Sequence, residues 1–173
     1  MSHSNEELLE EIYDKAFDNE RKYGFCPQAV LAALDDYFDI VEDQVIKSIH
    51  ALAGGGALCG DGTCGALIGG MVAISSVFGR KREEFGSSNE NNWTSSSWIA
   101  KKLRSRFINE YGSVICNDVQ EEIMGRSFDL WDPKDYKCFE EAGAHEDKCT
   151  KVSANVAKWT AEILIEEGLQ VKN

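Results

Sequence analysis

The sequence predicts an all-α fold, a single-domain bundle of about six or seven helices over residues 1–173. Three observations carry this. Apolar residues recur at helical spacing in one segment after another, no segment sustains two-residue alternation, and only two of the 173 residues are proline. At 43 % apolar residues the chain is long enough for one real core and too patterned for disorder.

Residues 5–20 form the first helix: Leu8, Leu9, Ile12, Tyr13, Ala16 and Phe17 share a face, and Ser4 with Glu7 makes a capping box. Residues 27–38 form the second. Pro27 suits its first position, Cys26 sits at or just before its N-cap, and Ala29, Val30, Ala33, Leu34, Tyr37 and Phe38 are its buried face. A third covers about 41–52, with Val45, Ile46, Ile49 and Leu52 inward. The glycine-rich stretch from Gly54 to Gly62 is a loop. Helix four runs from about Thr63 to Phe78, with Cys64 in its first turn and Gly79 as its stop. The charged, then Ser- and Asn-rich stretch 80–92 is a surface connection.

Helix five begins near Thr94, buries Trp98, Ile99, Leu103, Phe107 and Ile108, and ends at Gly112. A short helix covers 114–124. Residues 125–144 read as irregular, with Trp131-Asp132-Pro133 as a turn. The last helix spans about 147–167 on Val152, Val156, Trp159 and Ile163, and stops at Gly168.

Thirty acids against eighteen bases give a net charge of −12, which argues against nucleic acid or an anionic membrane as the main partner. From Ser48 to Gly79 the only charge is Asp61, but five glycines in Gly62–Gly79 favour a buried core or interface helix over a membrane span. The N-terminus carries no basic and then apolar run of a secretory signal, so a cytoplasmic location is expected. In that compartment thiols stay reduced, and six cysteines point to metal ligation or redox chemistry rather than staples.

Four of the six fall near helix starts: Cys26, Cys64, Cys116 and Cys149. At Cys26 and Cys64, free backbone N–H groups and the positive helix end favour thiolate, the form that binds metal or attacks a disulfide. If the relevant helix ends meet, the four converge; the plainer alternative is that each packs as an ordinary core thiol. No C-x2-C pair is present, and no C-x-x-C-H, which excludes c-type haem attachment. The loop before helix four matches no nucleotide-binding pattern, although its N–H groups suit an anion.

Cys64-Gly65-Ala66-Leu67-Ile68-Gly69 follows Cys26-Pro27-Gln28-Ala29-Val30 and precedes Tyr111-Gly112-Ser113-Val114-Ile115-Cys116 and then Cys149. This order resembles the redox-active family named for its C…GCAxxG…C…C pattern, over about residues 20–168. That family in turn resembles the helical iron–sulfur part of split-Soret cytochrome c, without the haem motif. The resemblance implies that Cys26, Cys64, Cys116 and Cys149 hold an iron–sulfur cluster, with [2Fe–2S] as the candidate type. It also implies electron transfer with a donor or acceptor protein, and a homodimer. Cys59 and Cys138 are extras, although Cys138 is an alternative to Cys149 as the last ligand.

Two further readings stand beside this one. A metal-free thiol–disulfide protein would use Cys64 to attack and Cys59 to resolve; a non-catalytic helical binding module would use its cysteines only for packing. Gly65, Gly69, Ala73 and Ser76 form a small-residue stripe that admits a close neighbour. His145 and Cys149 share a helical face if the last helix starts early, while His50 reads as a buried, satisfied histidine and His3 lies in the frayed start. Residues 80–112 carry seven bases and four acids, a local +3 that suits docking of an acidic partner but reads first as a solvated face.

Overall fold

The computed structural model of the protein describes residues 5–86 and 95–172. Within them lie eight α-helices: α1 Asn5–Tyr23, α2 Cys26–Phe38, α3 Asp43–Ser48, α4 Gly65–Phe78, α5 Ser95–Tyr111, α6 Cys116–Met124, α7 Pro133–Glu141 and α8 Cys149–Glu166. No strand is present among the described residues beyond one isolated antiparallel bridge, Thr63 with Ile115. The all-α expectation holds, with one or two helices more than expected.

The long helices supply the core. Leu8, Ile12 and Ala16 of α1 meet Val152, Val156 and Ile163 of α8, while Val30, Leu31 and Leu34 of α2 close one side. The uncharged α4 runs through the middle against α2, α5 and α8. Its glycines explain how it fits. A Cβ on Gly69 would stand 2.6 Å from the Pro27 carbonyl oxygen, and one on Gly70 would stand 2.6 Å from Thr160 Oγ1. The helices therefore approach at backbone distance. Ser76, the expected last member of the small-residue stripe, instead faces solvent. No helix is long and apolar enough to cross a membrane among the described residues.

Several expectations need correction. The third helix ends at Ser48 and continues as a 3₁₀ turn over His50–Leu52, leaving Leu52 exposed. His50 is exposed rather than buried and stacks on Phe25 with ring centroids 4.1 Å apart. Trp98 is 65 % exposed, with the Lys101 ammonium over its ring, so helical spacing alone put it on the wrong side of α5. The stretch 125–144 is not irregular: it contains α7. Asp132 caps that helix by accepting from the N–H groups of Lys134 and Asp135, and Pro133 occupies the first turn. The Ser4 cap, His3 and Thr94 lie outside the described residues.

The basic residues of α5 are largely spoken for within the fold. Lys102 pairs with Glu167 and Arg106 with Glu162, which turns part of the local positive charge toward α8.

Candidate functional site

The site is built where four chain reversals meet. Between α1 and α2, Gly24 and Phe25 both take left-handed backbone, at φ 64° and 56°, and the turn delivers Cys26 as the first residue of α2. Phe25 lacks glycine's freedom, so this conformation costs on the order of 1 kcal/mol. Its stack on His50 holds it in place.

The second reversal is the loop before α4. Gly54, Gly55, Gly56, Ala57 and Leu58 all have positive φ, a five-residue left-handed run of a kind L-residues rarely sustain. Glycine is required at Gly55, where a Cβ would meet the Gly60 backbone at 2.8 Å and Cys116 Cβ at 2.9 Å. The loop is then stitched to the start of α6. Cys64 N donates to Val114 O at 2.7 Å, Cys116 N to Gly62 O at 2.9 Å and Asn117 N to Gly60 O at 2.9 Å. This short ladder brings Cys64 and Cys116 side by side. Cys64 is the N-cap of α4 rather than a member of its first turn.

Gly65 joins the first two reversals: a Cβ there would stand 2.5 Å from Cys26 Sγ. The fourth cysteine arrives through a π-helical turn, Ala144–Lys148, that feeds directly into α8 at Cys149. Such turns are uncommon and concentrate at functional sites.

The outcome is one cavity of about 420 Å³ whose walls include Cys26, Cys64, Cys116 and Cys149. Cys59 and Cys138 are not on its walls. Cys59 is exposed with its thiol toward the Ala57 carbonyl oxygen, and Cys138 is exposed on α7. The six cysteines thus divide spatially as four and two.

The electrostatics differ from what helix starts suggest. Burial pushes all four thiols up: Cys64 to about 12, Cys26 and Cys149 well above their ordinary value, and Cys116 also upward. Facing N–H groups work against this at three sulfurs, Gly54 at Cys26, Ala66 and Leu67 at Cys64, and Gln120 at Cys116, but desolvation outweighs them. The expectation that helix ends make Cys26 and Cys64 thiolates is overturned for the free cysteines. A low-dielectric cavity penalises each negative charge, and the neighbouring sulfurs add to the penalty.

Two wall residues escaped the sequence reading. Glu20 is 3 % exposed, and burial pushes its carboxyl up to about 8, so it holds its proton at neutral pH. Its Oε2 has no hydrogen-bond partner, and the neighbouring Ser153 hydroxyl, also without one, offsets the effect of burial only in part. His145 Nε2 lies 3.7 Å from Glu20 Oε1, and His145 Nδ1 lies 2.7 Å from Glu140 Oε1. The second residue is Gln120, 2 % exposed, which bonds Cys116 at one end and the backbone at the other. A signal for Glu20 existed: Leu8, Ile12 and Ala16 mark every fourth residue of a buried stripe, and Glu20 is the next step. Among the described residues, no group of three or more His, Cys, Asp or Glu is gathered closely enough to hold a single metal ion.

The family model described as "Putative redox-active protein (C_GCAxxG_C_C)" matches residues 24–163, most of the chain. The chain belongs to this family. That membership gives it a redox role, and the matched span contains all four cavity cysteines. Where the family's name carries G-C-A-x-x-G, this member has Cys64-Gly65-Ala66-Leu67-Ile68-Gly69, with one more residue between cysteine and second glycine. Gly65 lies in that stretch, and its missing side chain is what admits Cys26 Sγ. Neither a comparison with curated proteins nor one with solved structures gave a match.

Proposed function

We propose that this family member is an electron-transfer protein whose cavity holds a cysteine-ligated iron–sulfur cluster, with Cys26, Cys64, Cys116 and Cys149 as ligands. The observation that carries the reading is the convergence of these four sulfurs, and neither of the other two, on one cavity.

The donor set fits. Four thiols are the ligand chemistry such clusters use. A cluster with several irons takes its ligands from around a volume rather than about one point, which agrees with four sulfurs spread over a cavity and not gathered for a single ion. Glu20 on the cavity wall holds its proton, so its buried carboxyl, whose Oε2 has no partner, offers an O–H donor toward the negative charge that thiolate ligation places on sulfur. When bound, the cluster would supply one-electron exchange. The residues supply the rest. Gly65 and Gly55 let backbone and sulfur close in, burial lowers the dielectric around the ligands, and the N–H groups at Cys26, Cys64 and Cys116 face the charge that ligation leaves on sulfur. A one-electron donor or acceptor protein, a cytoplasmic location and a homodimeric state belong to the same proposal.

The thiol–disulfide reading gains nothing from the geometry: Cys64 is buried with its thiol pushed up to about 12, while Cys59 faces outward to Ala57.

Anaerobic reconstitution with ferrous iron and sulfide tests the proposal. Wild type, Cys59→Ser and Cys138→Ser are expected to bind iron and sulfide and to show visible absorption. Single Ser variants at 26, 64, 116 and 149 are expected to lose most of both. Colourless wild type without iron would sink the cluster; retention by all four cavity variants would sink the ligand set.

A further inference from the structure

Gln120 is an unusual residue to bury. It sits on α6 one turn beyond Cys116, lines the cavity and is 2 % exposed. Its carbonyl Oε1 accepts from Phe128 N at 2.9 Å, so the amide has no freedom to flip: a backbone donor fixes which end is oxygen. The other end, Nε2, must then point inward, and it donates to Cys116 Sγ at 3.3 Å. Among the described residues it is the side chain whose hydrogen bond reaches a cavity cysteine's sulfur; the facing N–H groups at Cys26 and Cys64 are backbone.

A thiol sulfur is a weak acceptor, whereas a sulfur bearing negative charge is a strong one. An amide locked in this orientation favours the charged sulfur over the neutral one. It also ties Cys116 to the segment at Phe128, which packs with Phe139 and Ala144 in the small apolar cluster against which Cys149 rests.

We propose that Gln120 is a positioning residue for redox: its fixed N–H stabilises added negative charge on Cys116, and so makes the site easier to reduce. This rests on the cluster reading for its electron-transfer consequence, but not for its effect on Cys116 itself. One electron enters from an external one-electron reductant, no bond in the protein forms or breaks, and the hydrogen bond to sulfur strengthens as charge on the sulfurs grows.

The test uses the full chain and Gln120→Leu, an apolar residue of similar size, with Gln120→Met as the substitute if the leucine variant fails to fold. In anaerobically reconstituted protein titrated with dithionite, the variant is expected to keep its iron and sulfide counts. Its reduction equilibrium is expected to shift against the reduced state by about tenfold, which for one electron corresponds to about 59 mV. In iron-free reduced protein, iodoacetamide labelling followed by peptide mass spectrometry reads Cys116 directly. Its rate is expected to fall about threefold or more, with Cys64 in the same cavity and exposed Cys59 unchanged. Unaltered Cys116 labelling, or cavity thiols that all accelerate together, would overturn the proposal. Wild type that takes up no iron would defeat the cluster reading alone, and the labelling arm would still decide the role of Gln120.

Discussion

A carboxyl group that keeps its proton at neutral pH makes folding weaker, not stronger, as acidity falls. Glu20 has an ordinary value of 4.5 and is raised to about 8 in the fold, because burial disfavours its charged form. Between those two values the folded chain binds more protons than the unfolded one, so stability declines as pH rises. The raised cavity thiols act in the same direction at higher pH. Metal-free protein is therefore expected to melt lower at pH 8 than at pH 5, by on the order of 5 °C or more. Glu20→Gln keeps the shape without the proton and should flatten that difference. Circular dichroism melts at the two pH values measure it, and equal slopes in both proteins would count against a protonated Glu20. The residue was within reach of the sequence, since it continues the Leu8-Ile12-Ala16 stripe; a charge on a buried stripe is the anomaly to look for.

At the scale of elements, the structure turns on close approach and on one cap. Gly69→Ala puts a methyl 2.6 Å from the Pro27 carbonyl oxygen and 3.0 Å from Val30 Cβ. Neither can yield easily, so α2 and α4 must separate, at a cost of roughly 1–3 kcal/mol in urea denaturation. Asp132→Ala removes the side chain that accepts from Lys134 N and Asp135 N, and should cost about 1 kcal/mol. The loss is local, so faster amide exchange confined to α7 is the result to expect. This helix shows why part of the fold stayed illegible. Trp131-Asp132-Pro133 has the composition of a turn, and the same residues are an N-cap followed by proline in the first turn. Which they are depends on whether Phe139 has something to pack on, and Phe128 and Ala144 supply it from either side of α7, at spacings that follow no helical period. The long helices were legible because their apolar faces repeat over several turns; Trp98 failed because a large aromatic on a helix need not face inward.

For the molecule as a whole, the site is a cavity whose walls come from nearly every part of the chain, from Glu20 on α1 to Val152 on α8. An occupant that binds only this folded arrangement stabilises all of it at once, by about 2.7 kcal/mol at a hundredfold excess over its dissociation constant. Loading with iron and sulfide should accordingly raise the melting temperature of wild type and of Cys59→Ser by the same amount, and leave Cys64→Ser where it was. A rise in Cys64→Ser would show binding elsewhere. The grouping of four cysteines was legible because each stands near a helix start and helix starts can share one end of a bundle. Their protonation was not legible, since it depends on how deeply the other elements bury them, and no local pattern reports that depth.

Trp131 is 68 % exposed, yet its indole Nε1 donates to the Ala57 carbonyl oxygen at 2.8 Å, inside the left-handed run that precedes Cys64. Its neighbour Leu130 is part of the cavity wall. The indole is therefore a fluorophore open to solvent on one side and fastened to the loop at the site on the other. Occupation of the cavity should register as a change in its emission, so filling can be followed by light without attaching a dye.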